Sequence, residues 1–183
     1  MRTALILLGM GIGLLWSCKP GTPKANIETL EAEYRQLAQQ AGDDTEAIRT
    51  AVRQLADAYV AEAESQSDET LASEYIYKAA ELYENNLSDP NEALRMFDRI
   101  IEKYPDGARA ADALFKKGYV LHNILQDTAR ARQVYVAFID KYPDHDLVAS
   151  ARFEIENLGV DPAELLMRIK QDSLRFLDDP DSL

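Results

Sequence analysis

Phe97-Asp-Arg-Ile-Ile-Glu-Lys-Tyr-Pro-Asp106 returns 38 residues later as Tyr135-Val-Ala-Phe-Ile-Asp-Lys-Tyr-Pro-Asp144, with five of ten residues unchanged. A period of this size indicates stacked helical units. The offset extends backwards, since Tyr59 and Asp68 precede Phe97 and Asp106 by 38, although Gln66-Ser67 replaces the Tyr-Pro. It also reaches the helices between: Tyr77, Phe115 and Phe153 form one column, and Ala80 with Gly118 another. In the segment 128–141, Ala131, Val134, Tyr135, Phe138 and Ile139 follow the i, i+3, i+4, i+7, i+8 pattern of one helical face, a stripe that only neighbouring helices can cover.

Working outward, helical spacing predicts segments at 26–41, 45–64, 70–86, 90–103, 109–125, 128–141, 147–158 and 162–177. Asp89-Pro90-Asn91-Glu92 and Asp161-Pro162-Ala163-Glu164 each supply an aspartate cap, a proline at the first helical position and a glutamate at the third. Gly42 and Gly159 read as stops. No segment joins alternating polarity to β-branched enrichment, so strands are not expected. The expected fold is all-α: an α-solenoid of about eight antiparallel helices, with 162–177 as a C-terminal cap and 179–183 as a tail. Leu166, Ile169 and Phe176 lie on one side of the cap, with Glu164, Arg168, Lys170 and Arg175 elsewhere.

Composition narrows the function. Of 183 residues, 46% are apolar and 28% charged, enough to build a core. With 20 basic against 32 acidic side chains, the net charge of −12 repels nucleic-acid phosphates, so no nucleic-acid partner is expected. One cysteine forms neither an internal disulfide nor a thiolate zinc cage. His122 and His145 sit on different elements without metal-ligand spacing, so neither a metal nor a cofactor is expected. No nucleophile elbow, phosphate loop or catalytic cysteine pattern appears, and the reading is non-enzymatic.

Arg2 precedes an apolar run ending at Ser17, and Lys19-Pro20-Gly21-Thr22-Pro23-Lys24 follows it abruptly. The run is shorter than the roughly 20 residues of a spanning helix and has the length of an export signal. The sole cysteine, Cys18, closes it. The residues alone allow an ordinary secretory signal or an uncleaved anchor. Leu15-Trp16-Ser17-Cys18 resembles the lipobox of bacterial lipoproteins, which implies cleavage after residue 17, acylation (palmitate) of Cys18 and a tether over 18–25. Fully extended, the seven residues from Lys19 to Ala25 reach about 23 Å at roughly 3.3 Å per residue. In that family's sorting rule, Lys19 in place of aspartate implies the outer membrane, with contact to the bilayer through the lipid alone.

The repeats resemble the tetratricopeptide repeat family. Ala93-x₃-Phe97 with Pro105, and Ala131-x₃-Tyr135 with Pro143, match its second helices; Gly118-x₂-Leu121 and Ala80-x₂-Tyr83 match the small-then-large pair of its first helices. Ile76 and Leu114 stand where tryptophan is commoner, and the period exceeds the family's 34 through a longer turn. The resemblance covers residues 45–158 of a helical domain spanning 26–178. Together with the leader it is similar to lipoproteins of outer-membrane β-barrel assembly and periplasmic coordinators of envelope constriction. It implies a scaffold whose partner is another envelope protein or peptide segment.

Helix 109–125 is apolar on two sides. Ala110, Leu114, Leu121 and Leu125 read as core, whereas Asp112, Phe115, Lys116, Tyr119, His122 and Asn123 mix aromatic and polar groups as binding surfaces do. In the family, the first helix of each pair lines the concave side. Carrying that over by the 38 offset adds Tyr77, Lys78, Glu81 and Asn85 before it and Phe153, Glu154 and Asn157 after it. The aromatic column also reads as packing between helices. Asn85 and Asn123 are the expected partner contacts, because an amide serves both donors and acceptors of a bound backbone. Asp144-His145-Asp146 reads as a solvated turn, and Lys103-Tyr104-Pro105-Asp106 as turn chemistry. Cell-wall glycan is the alternative ligand. The oligomeric state is not readable from the sequence.

Overall fold

The computed structural model describes residues 23–40 and 45–178. The leader, Cys18, the Gly42 stop and the tail 179–183 lie outside the described residues. Eight α-helices follow one another: α1 (Pro23–Gln40), α2 (Thr45–Ser65), α3 (Glu69–Asn85), α4 (Pro90–Lys103), α5 (Ala110–Tyr119), α6 (Thr128–Lys141), α7 (Val148–Asn157) and α8 (Pro162–Asp178), with a π-helical turn (Val120–Ile124) continuing α5. No strand occurs among the described residues. None of the described helices is long and apolar enough to cross a membrane.

Each helix from α1 to α6 packs on the next. Ile27, Leu55 and Tyr59 close α1 and α2 over Ala79 of α3. Ile76, Phe97, Ile100 and Tyr104 join α3 to α4, and Tyr135, Phe138 and Ala151 join α6 to α7. Leu94, Ile101 and Leu125 touch both of the later clusters, so the core runs on from unit to unit. That continuity is how units too thin to bury their own stripes become stable.

The 38-residue period is visible in the backbone. Tyr104 and Tyr142 cap α4 and α6, donating their N–H to Ile100 and Phe138, each at 2.9 Å. Their carbonyls then accept from Gly107 (2.9 Å) and His145 (3.1 Å), so the Tyr-Pro stretch is turn chemistry in both copies. Ser88 and Gln126, again 38 apart, take left-handed φ values of 52° and 58°. Beside them Leu87 and Leu125 donate five residues back, to Leu82 and Val120. The first helix of each pair thus leaves through the same widened turn and delivers an aspartate, Asp89 or Asp127, whose carboxylate caps the next helix.

Several expectations change. The helix expected over 109–125 ends as α-helix at Tyr119 and passes into π geometry, because the exit turn needs the i−5 bond of Leu125. Gly118 sits inside α5 for a steric reason. A Cβ there would come within 2.7 Å of the Tyr135 ring, which is wholly buried. The first helix begins at Pro23, not residue 26, so the stretch between Cys18 and the helix is Lys19 to Thr22, about 13 Å fully extended. Gly159 does stop α7, at φ +80°.

The expected cap differs most. α8 forms, with Asp161 accepting from the N–H of Ala163 (2.8 Å) and Glu164 (3.4 Å), yet no extensive contact joins its described residues to another helix. Leu166 and Met167 are 68% and 66% exposed. The reason is readable four residues past each capping aspartate. Ala93 and Ala131, both fully buried, allow the second helix to approach its partner closely, and at the equivalent place α8 carries the bulky Leu165.

Candidate functional site

The three first helices α3, α5 and α7 are bridged to one another by charged side chains. Between α3 and α5, Arg109 holds the Glu74 carboxylate bidentately, Nε–Oε2 2.6 Å and Nη2–Oε1 3.1 Å, and places Nη1 2.9 Å from Asp112 Oδ2. Its guanidinium lies 4.8 Å over the Tyr77 ring. One turn on, Lys116 Nζ donates to Glu84 Oε1 at 2.9 Å, and the Glu84 side chain is only 3% exposed.

Between the α5 segment and α7 the carboxylates meet imidazoles. His122 Nδ1 stands 2.9 Å from Glu154 Oε2. His145 Nε2 faces Asp112 Oδ1 at 3.7 Å, its Nδ1 accepts the Leu147 N–H at 3.2 Å, and its ring meets Phe138 edge-on at 5.5 Å. The expectation of a solvated turn at His145 is therefore corrected: Phe138 and Asp112 draw the ring into the junction.

These bridges set the local electrostatics. The hydrogen bonds from Arg109 hold the Glu74 carboxyl below the usual range and lift the Arg109 guanidinium above its own. Glu81, half-buried, is pushed up first by desolvation and further by Glu84 and Glu74, against the pull of Lys116 and Arg109. Burial raises the phenols of Tyr77 and Tyr135, with Glu81 and Asp112 adding to the first and Glu154 to the second.

The predicted site residues separate into two sets. Tyr77 is buried against Phe97 (ring centroids 5.8 Å), and Phe115 packs on Tyr135 (5.6 Å) and Phe138 (5.7 Å), so these two serve the packing within their own pairs. Lys78 lies over the Tyr59 and Tyr75 rings, while Asp112 and Lys116 belong to the bridges. Of the expected partner contacts, Asn85 is exposed and Asn123, also exposed, donates to the Tyr119 carbonyl at 3.3 Å. Tyr119 stands 37% exposed with the Lys116 ammonium 5.1 Å from its ring.

The other set meets at the end of the array. His122, Asn123, Phe153, Glu154 and Asn157 line a cleft of about 420 Å³ closed by Gln126, Thr128, Gly159, Val160, Asp161 and Leu165. Phe153, third in the aromatic column, is 45% exposed, and among the described residues no ring packs on it as Phe97 does on Tyr77 and as Tyr135 and Phe138 do on Phe115. Sequence reasoning missed Leu165 and Asp161 as walls of this cleft. The signal was present as a leucine where the earlier second helices have alanine.

Among the described residues no group of three or more His, Cys, Asp or Glu converges as metal ligands would. What the arrangement offers chemically is recognition: a ring, two amides and carboxylates around an open space.

The tetratricopeptide repeat family model matches residues 74–107 and 112–145, two windows in the 38-residue register. Each takes in most of one helix pair, α3 with α4 and α5 with α6, and the four residues between the windows, Ala108 to Ala111, carry the lengthened turn that sets Arg109 against Glu74. No curated protein and no solved structure matches the chain. The chain thus contains tetratricopeptide repeats in an all-α, tetratricopeptide-like solenoid. Repeats of this kind serve as protein-interaction scaffolds.

Proposed function

We propose that this protein is a non-enzymatic scaffold of the bacterial cell envelope, held to the membrane by an acylated Cys18, that captures another envelope protein on the side lined by α3, α5 and α7. The single observation carrying the reading is the unfinished third pair: Phe153 stands open at the end of an array whose earlier aromatics are covered. The leader supports the anchor, since a signal-length apolar run ends at the only cysteine. With only Lys19 to Thr22 between lipid and α1, capture would take place close to the bilayer, on the periplasmic side of the outer membrane.

Two measurements test it. Cells fed an alkyne-tagged palmitate should label the wild-type protein and not a Cys18→Ser variant. Crosslinking in intact cells should join the array to an envelope protein, and an Asn85→Ala/Asn123→Ala variant should lose that product while helix content by circular dichroism stays the same. Unlabelled wild type would remove the anchor, and unchanged crosslinks in the double variant would remove the assigned face.

A further inference from the structure

The cleft at the end of the array carries two carboxylates and, among its described lining residues, no Lys or Arg. Asn123 and Asn157 each commit one amide N–H to a backbone carbonyl, of Tyr119 (3.3 Å) and Phe153 (2.7 Å), which leaves the side-chain carbonyl and the second N–H of each amide for a guest. His122 gives its Nδ1–H to Glu154, so a neutral ring has an acceptor at Nε2. Glu154 and Asp161 supply the carboxylates. Beside these acceptors sits the open ring of Phe153, 45% exposed where the two earlier members of its column are packed.

We propose that this cleft docks a basic segment of the partner protein, one arginine or lysine side chain lying against Phe153 with Glu154 and Asp161 as its counter-charges. The inference rests on the scaffold reading and adds the chemistry of the guest. A guanidinium brings five donors and a planar cation that stacks on an aromatic face, the complement of what the walls present. An acidic guest would meet two carboxylates and no Lys or Arg among the described lining residues. A wholly apolar guest would desolvate Glu154 and the amide carbonyls of Asn123 and Asn157 without offering them a donor. The volume of about 420 Å³ suits a few side chains of an extended segment. The net charge of −12 also draws a basic partner toward the surface.

The test is selection of phage-displayed dodecapeptides on the full chain, followed by affinity measurement of a selected peptide with wild type, Phe153→Ala and Glu154→Gln. Both positions are at least partly solvent-exposed, and circular dichroism verifies that both variants keep the fold. The selected peptides should be enriched in arginine and lysine. Their affinity should fall about tenfold or more in each variant and weaken as salt is raised. Selection of acidic or uncharged peptides, or affinities within twofold of wild type in both variants, would overturn the basic guest and leave the scaffold standing. Failure to select any peptide would count against both.

Discussion

The bridge between α3 and α5 and the bridge between the α5 segment and α7 occupy the same register with the acidic and basic residues exchanged. Glu84 faces Lys116, and 38 residues on His122 faces Glu154, both at 2.9 Å. What the repeat conserves is therefore the contact, not the residue. The environments differ too. Glu84 is almost wholly buried beneath a permanent cation, whereas Glu154, 23% exposed, answers a histidine at the rim of an open cleft. The inner bridge is locked and the one at the end of the array is left accessible.

The largest expected effect contrasts covered and open aromatics. Phe97→Ala and Tyr135→Ala empty fully buried sites and should each cost about 3–5 kcal/mol in denaturant unfolding, whereas Phe153→Ala should change stability by less than about 1 kcal/mol. Equal losses at all three would mean that the third pair is closed in solution. Next come the bridges. Lys116→Ala strands a buried carboxylate and should cost about 2–3 kcal/mol, while His122→Ala, leaving a more accessible one, should cost about 1 kcal/mol. Reversal of that order would refute the contrast between the two ends.

Gly118→Ala drives a methyl into the Tyr135 ring. It should destabilise by about 1–2 kcal/mol despite the better helix propensity of alanine, a loss read as a lower Tm. The smallest effect concerns Glu81. Its folded pKa lies above the unfolded value, so its charge opposes folding at neutral pH, and the opposition fades as pH falls through the folded value. Glu81→Gln should accordingly stabilise slightly at pH 7, with the gain shrinking as pH falls through the carboxylate range, read by thermal unfolding across pH. Glu74, held down by Arg109, contributes in the opposite sense, its stabilisation being lost as pH falls.

The fold was legible because it is local and periodic. Apolar spacing, aspartate caps and the 38-residue offset all act within one helix pair, and all eight helices were found from them. The bridges were legible in part. Once Lys116 is placed against Glu84, the same offset puts Glu154 against His122, but which helix faces they join depends on stacking geometry that no single segment carries. The π turn after Tyr119 escaped, because it follows from the backbone bond of Leu125 and the left-handed Gln126, for which glutamine gives no warning. Aromatic spacing alone likewise does not separate Tyr77 and Phe115, which are packed, from Phe153, which is open. The distinction accompanies Leu165, a residue outside the column, where the earlier second helices carry a buried alanine.

Hydrogen–deuterium exchange on the full chain tests that openness most directly. The amides of α3 to α6 should exchange together, protected by the shared core, while those of α8 should exchange many times faster and gain protection when a selected peptide is bound. Protection of α8 equal to that of α6 in the free protein would show a closed third pair, leaving no cleft for a partner to enter.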